Sequence, residues 1–225
     1  MGQLDLPEVN DNRNYDYSSH PDEDRKEYSI IVDYIPSGST VLDLGCGNGT
    51  LLQRLRTEKN VKGTGLEISE SGVEICRKRG LDVRHGRIDD TLPFNDNEFD
   101  YTVCNVTIQM VMYPETLLRE MKRVSRYQII SFPNFAFWKN RIELLLKGRM
   151  PKRMLFGYSW YSTGHIHQLS IDDFKQLLHD VGGMTVESRW IDRSSIAARN
   201  LLNKLFPNLF QLLAVFVLKK NEHSR

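Results

Sequence analysis

Apolar residues along the chain come in short bursts, and the bursts alternate between two periods. Residues 1–20 carry few aliphatic side chains and many Asp, Asn and Ser, the composition of a flexible arm. Tyr15 and Tyr17 are its aromatic candidates for closing over a ligand. Tyr28, Ile31, Val32 and Ile35 then recur at helical spacing until Pro36-Ser37-Gly38 stops them. Val41 to Leu44 reads as a buried strand, followed by a helix from about Gly49 to Glu58. Val61 to Ile68 predicts a second strand, with Ser69 placed to cap a helix that ends at Gly80. Leu81 to Ile88, Phe99 to Asn105 and Gln128 to Phe132 predict strands three to five, the last after a helix marked by Leu117, Leu118, Met121 and Val124. Ser170-Ile171-Asp172-Asp173 has the form of a capping box with Asp in the usual Glu position. It opens a helix whose apolar face is Ile171, Phe174, Leu177, Leu178 and Val181. Two late β-type runs, Met184 to Ile191 and Leu212 to Leu218, flank a basic, partly helical stretch. Alternating strand and helix predict an α/β domain, a single doubly wound and mostly parallel sheet with helices on both faces. Its expected bounds are 25–220, with a polar arm at 1–24, a polar tail at 221–225 and an inserted helical segment at about 132–165.

The strongest chemical signal lies between the first strand and its helix: Asp43-Leu44-Gly45-Cys46-Gly47-Asn48-Gly49-Thr50. Alternate glycines permit left-handed backbone and remove the Cβ atoms that would keep a ligand off it. The next helix points free N–H groups at the occupant of the turn. Glu67, at the end of the second strand, is spaced to accept from both hydroxyls of a ribose. A dinucleotide fingerprint would put its third glycine where Thr50 stands, so a nicotinamide or flavin is the weaker reading. A turn that merely joins a strand to a helix is the bland one. Val41 to Gly49 instead resembles the first motif of class I S-adenosylmethionine (SAM)-dependent methyltransferases, in which the turn accommodates the methionine moiety and the acid holds the ribose. SAM carries no phosphate, and acidic Asp43 suits its sulfonium and ammonium. The resemblance implies the Rossmann-like class I methyltransferase fold with seven strands, the last antiparallel.

That resemblance also places an acid after the third strand, for the adenine. Here the run is His85-Gly86-Arg87-Ile88-Asp89-Asp90, with Arg87 at the expected position, and arginine cannot accept a hydrogen bond. Ile88 and Asp89 are the expected pocket lining, and Asn105 to Gln109 should face the ligand. The cofactor-binding set for SAM or S-adenosylhomocysteine (SAH) is then Asp43, Gly45, Cys46, Gly47, Gly49, Glu67, Ile68, Ile88, Asp89 and Asn105.

Lys and Arg total 30 against 29 Asp and Glu, so no overall field draws nucleic acid or an anionic membrane. Leu212 to Leu218 is far too short to span a bilayer. Cys46, Cys76 and Cys104 lack metal-like spacing and read as buried thiols of a cytoplasmic protein. His165 and His167 are the best base candidates, although loop histidines leading to the Ser170 cap are the commoner arrangement. No catalytic residue and no metal ligand is assigned.

A longer set of residues narrows the resemblance. Ser131-Phe132-Pro133-Asn134-Phe135, Trp138, Arg141, Leu144-Leu145 and Gly148-Arg149-Met150-Pro151 are similar to the methionine biosynthesis protein MetW family. Tyr158, Trp160-Tyr161, Thr163, Ile166-His167 and Asp173-Phe174 extend the match, as do Leu117, Arg119-Glu120-Met121 and Arg123-Val124. Ser162, Gly164, His165 and Arg87 depart from it. The resemblance implies a SAM-binding protein that pairs with homoserine O-acyltransferase and supports its activity. A genuine methyltransferase acting on a small-molecule ligand is the alternative, and a nicotinamide-dependent oxidoreductase a remote one. The aromatic, Arg- and Met-rich segment Trp138 to Tyr161 suits either a lid over the cofactor or a partner interface.

Overall fold

The structure, a computed structural model, describes Tyr17 and residues 25–151, 164–190 and 197–221. The rest of the predicted arm, Tyr15, Tyr158 to Thr163, Ile191 and the end of the tail lie outside the described residues. In chain order the elements are α1 (Lys26–Tyr34), β1 (Thr40–Leu44), α2 (Thr50–Lys59), β2 (Lys62–Glu67), α3 (Glu70–Lys78), β3 (Asp82–His85) and β4 (Phe99–Asn105). After a 3₁₀ turn at Ile108–Met110 come α4 (Pro114–Val124), β5 (Ser125–Pro133), α5 (Trp138–Lys147), α6 (Ile171–Val181), β6 (Met184–Trp190), α7 (Ala197–Leu205), α8 (Pro207–Phe210) and β7 (Leu213–Lys220).

Seven strands form one sheet in the order β3-β2-β1-β4-β5-β7-β6. β1 to β5 pair with one another in parallel, and β7 runs antiparallel to both β5 and β6. Period-2 alternation sorts the central strands between two cores. Val41, Val103, Ile129, Val215 and Val217 face α1 and α2, where Ile31, Ile35, Leu51 and Leu55 close one side. Leu42, Leu44, Cys104, Ile130, Phe132 and Phe216 face Leu117, Met121 and Phe174 of α4 and α6 on the other. Phe174 sits between Phe132 and Phe216, with ring centroids 4.8 and 4.9 Å away. Both faces are covered, which is what continuous apolar strands require.

The punctuation predicted from sequence is present at the helix ends. Ser170 Oγ accepts from Asp173 N–H and Asp173 Oδ2 accepts from Ser170 N–H, so the box closes with aspartate. Ser69 Oγ accepts from Gly72 N–H, and Gly80 takes the left-handed conformation just after α3, at φ +66°. The third strand is shorter than the run Leu81 to Ile88. β3 is an edge strand supported by β2 alone, and the chain leaves it at Gly86, whose N–H donates to Glu67 O. Among the described residues no helix is long and apolar enough to cross a membrane.

Candidate cofactor site

The order of strands reverses between β1 and β4, and their carboxyl ends frame the crevice where ligands of open α/β sheets bind. The glycine turn stands at that point. Gly45, Gly47 and Gly49 have φ of +76°, +57° and +78°. Gly45 N–H extends the β1–β2 ladder by donating to Leu66 O, and Gly49 N–H closes the turn on Cys46 O. Asn48 Oδ1 accepts from the N–H and hydroxyl of Thr50, satisfying the start of α2.

The three glycines serve different neighbours. A Cβ at Gly45 would lie 2.7 Å from Thr107 Cγ2, and one at Gly49 would lie 2.5 Å from Leu81 Cδ1 and 2.7 Å from Cys76 Sγ. Those two make room for the protein's own packed side chains. Gly47 opens instead on an aromatic side chain from far upstream: its Cβ would meet the ring of Tyr17 at 3.2 Å.

Glu67 is 3% exposed, yet its carboxylate is well held. Oε2 accepts from Gly47 N–H and Oε1 from Ser69 N–H, each at 2.8 Å. An ionised carboxylate offers about four lone-pair positions, which is the acceptor chemistry a diol requires. Asp43, 2% exposed, lies on β1 opposite Gly65 of β2 and Val103 of β4. Burial, and secondarily the charge of Glu67, pushes its carboxyl up to about 7. Glu67, with Asp43 near enough to feel its charge, makes the surroundings of the turn acidic, which suits a cationic ligand. The Cys46 thiol hydrogen-bonds Cys76 and is buried, and both effects hold its pKa well above the ordinary thiol value. Cys46 therefore contributes its backbone to the turn, not a nucleophile.

The remaining predicted residues divide. Asn105 ends β4, and its Oδ1 accepts from Ser131 Oγ. Val106 follows with φ +52°, a conformation rare for a β-branched residue, held by N–H bonds to Ser131 Oγ and Ser131 O at 3.0 Å. This strained joint brings Thr107 against Gly45. Ile68 is half-buried, and its carbonyl meets His85 Nε2 at 2.8 Å. Ile88 packs into the core with Leu44 and Leu66. Asp89 is buried and clamped by Arg87 Nε and Nη2 at 3.1 Å and by Met112 N–H at 2.7 Å. Arg87 thus neutralises the nearest carboxylate where an acid was expected for adenine.

His165 and His167 lie in the loop that leads to Ser170, where the N–H groups of Ile166 and His167 donate to Gln109 O. His167 borders an apolar cavity of about 170 Å³ with Ile108, Leu169, Phe174 and Leu177, and its Nε2 is buried without a hydrogen bond among the described residues. No three metal-ligating side chains come together among the described residues. Ser131, Val106 and Gly72 belong to the site's framework but carry no motif signal. A serine or valine in a strand-like run looks like ordinary sheet.

Sheet order and strand directions define a class I SAM-dependent methyltransferase fold. Solved structures agree on the fold. A SAM-dependent methyltransferase from Mesorhizobium loti superposes with a TM-score of 0.62 at 15% identity, over 89% of this chain and 100% of its own. Magnesium protoporphyrin IX methyltransferase from Synechocystis, solved with bound SAM, gives 0.56 at 15%, over 87% of this chain and 79% of its own. Within that class the chain belongs to the family described as methionine biosynthesis protein MetW, whose model matches residues 25–218. A relative from Rhodopirellula baltica, the bifunctional methionine biosynthesis protein MetXA/MetW, is 39% identical over 158 residues. The match covers 66% of this chain and 25% of the relative, so the chain spans about a quarter of that protein's length.

Proposed function

We propose that this protein binds SAM or SAH at the glycine turn and acts in methionine biosynthesis as an activating partner of homoserine O-acyltransferase. One observation carries the binding half: the buried carboxylate of Glu67 is bonded to the backbone of Gly47 in a three-glycine turn, with buried Asp43 beside it. A vicinal diol matches an acceptor-only carboxylate such as Glu67, and cationic ammonium and sulfonium groups match the two acids. A dinucleotide would bring its pyrophosphate towards the same two acids, which disfavours the nicotinamide reading. Calorimetry with SAM, SAH and NAD tests the assignment. SAM and SAH should bind and NAD should not. Glu67→Gln should weaken SAH by about 1.5–3 kcal/mol for each charge-assisted bond lost. The same change leaves one of two backbone N–H groups without its acceptor, so the melting temperature should fall slightly as well. Preferential NAD binding, or an unchanged SAH affinity in the variant, would refute it.

The partnership is supported by family membership and by a relative whose name joins MetXA to MetW. The exposed face of α5 is the interface we assign. Leu144 and Leu145, which as a lid would pack inward, are 46% and 82% exposed, beside Ile142 and Leu146. Trp160 lies outside the described residues. Exposed apolar anchors on a helix that also carries exposed Lys139, Arg141 and Lys147 have the make-up of an interface core with a polar rim. The wild-type protein should co-purify with the cognate acyltransferase, and Leu145→Asp with Leu146→Asp should abolish the complex at an unchanged melting temperature. An undiminished complex would remove α5 from the interface.

A second reading, a methyltransferase of a small molecule, is favoured by the apolar cavity beside His167. Labelled-methyl incorporation from SAM into a metabolite panel distinguishes it.

A further inference from the structure

The outer face of the glycine turn is covered by a residue far away in sequence. Cε1 and Oη of Tyr17 lie 3.2 Å, and Cζ 3.3 Å, from where a Cβ on Gly47 would stand. A Cβ on Gly72, in the first turn of α3, would stand 3.2 Å from Cδ2 of the same ring, 3.2 Å from Glu67 Cγ and 2.8 Å from Gly47 O. One phenol ring therefore spans both bare positions, beside the carboxylate that braces the turn. Glycine is unfavourable inside a helix. At Gly72 it allows α3, the turn and the ring to approach one another.

Backbone bonds tie the ring to the same acid. Tyr17 N–H donates to Ser71 Oγ at 3.1 Å, Ser71 Oγ and Ser69 Oγ are 2.9 Å apart, and Ser69 N–H donates to Glu67 Oε1. Ser69 and Ser71 thus bridge the backbone of Tyr17 to the Glu67 carboxylate. Of the two aromatic candidates in the arm, Tyr15 lies outside the described residues and Tyr17 is at the site.

We propose that Tyr17 is itself a cofactor-binding residue, its ring forming the outer wall of the adenosyl site over the position served by Glu67. This rests on the adenosyl reading of the turn. An aromatic ring makes a good wall because it is large, has few rotatable bonds to immobilise, and presents an apolar face that keeps water from the charge-assisted bonds beneath it. Excluding water from those bonds strengthens them. A wall of this kind acts mainly on the rate at which the ligand leaves.

The experiment follows SAH association and dissociation on the full-length protein by stopped-flow, for the wild type, Tyr17→Ala and Tyr17→Phe, with melting temperatures alongside. Tyr17→Ala should accelerate dissociation by about tenfold or more while association changes by less than about threefold. Tyr17→Phe, which keeps the ring, should stay within about threefold of the wild type in both rates. A residue that merely stabilised the fold would shift the melting temperature and leave dissociation unchanged. Unchanged dissociation in Tyr17→Ala overturns the proposal, and so does slower dissociation, which would make the ring a competitor of the ligand. If the wild type fails to bind SAH, the adenosyl reading falls and this inference with it. If the wild type binds and Tyr17→Ala binds equally well, only this inference falls.

Discussion

Gly47→Val is expected to abolish binding of SAH while leaving a folded, less stable protein. Gly47 has φ +57°, and holding an L-residue in the left-handed region costs about 1–2 kcal/mol, with β-branched valine at the upper end. The new Cβ would stand 3.2 Å from the Tyr17 ring, and its two methyl groups would project further into the same space. The ring would be pushed off the turn, and the wall it is proposed to give the ligand would be lost with it. Affinity should fall by at least about a hundredfold, which corresponds to about 2.7 kcal/mol. Gly38 supplies the control. It has a similar φ, +79°, but an added Cβ there meets nothing within 4 Å, and it lies in the loop before β1. Gly38→Ala should therefore show the backbone cost alone, with SAH affinity intact. Equal affinity in Gly47→Val and the wild type would mean that the ligand never approaches this glycine.

Much of this architecture is legible along the chain because local and global signals agree. The runs Val41 to Leu44 and Phe99 to Asn105 are apolar enough to be buried on both faces, and they became the sheet's centre. Ser69 and Ser170 cap helices as their spacing predicts, since capping is a contact across three residues. Boundaries failed where support came from a distant strand. β5 begins at Ser125, not Gln128, because Ser125 pairs with Phe99 and its hydroxyl meets Thr102 on β4. Nothing local in Ser125-Arg126 announces a strand.

The site divides in the same way. Gly45, Gly47 and Glu67 belong to one strand–helix–strand unit, β1-α2-β2, so their meeting could be foreseen. The pairing of Arg87 with Asp89 was hidden, since arginine in place of an acid looks like a lost contact and not a clamp. The left-handed Val106 was also hidden, because valine is a β-former and the strain is imposed by Ser131 on the neighbouring strand. The placement of Tyr17 required a chain segment to return across 54 positions to Ser71. No periodicity encodes that.

Asp43→Asn should make the protein more stable at neutral and alkaline pH while weakening its grip on a cationic ligand. Burial, and after it the charge of Glu67, raises the Asp43 carboxyl from an ordinary value of 3.8 to about 7. The folded value lies above the unfolded one, so the fold prefers the protonated acid. Relative stability is full below about pH 4 and is lost as pH rises through about 7. At about 1.36 kcal/mol per unit, ionisation costs at most about 4 kcal/mol by pH 8. Asparagine keeps the shape and never ionises. Urea unfolding should give closely similar stabilities for the two proteins near pH 4 and a gap in favour of Asp43→Asn that widens up to pH 8. The Glu67→Gln background should narrow the gap, because Glu67 is the second cause of the shift. A gap that does not vary with pH, or a less stable variant at pH 8, would show that the carboxylate is comfortable as an anion. On the proposed SAM reading, the same cost gives the acid a role in binding. A ligand bearing ammonium and sulfonium groups favours the ionised form and draws its pKa down, so SAM binding between pH 6 and 7 should release protons, whereas binding to Asp43→Asn should not. Calorimetric heats measured in buffers of different ionisation enthalpy would read that release, and equal heats in all of them would dissociate Asp43 from the ligand's charge.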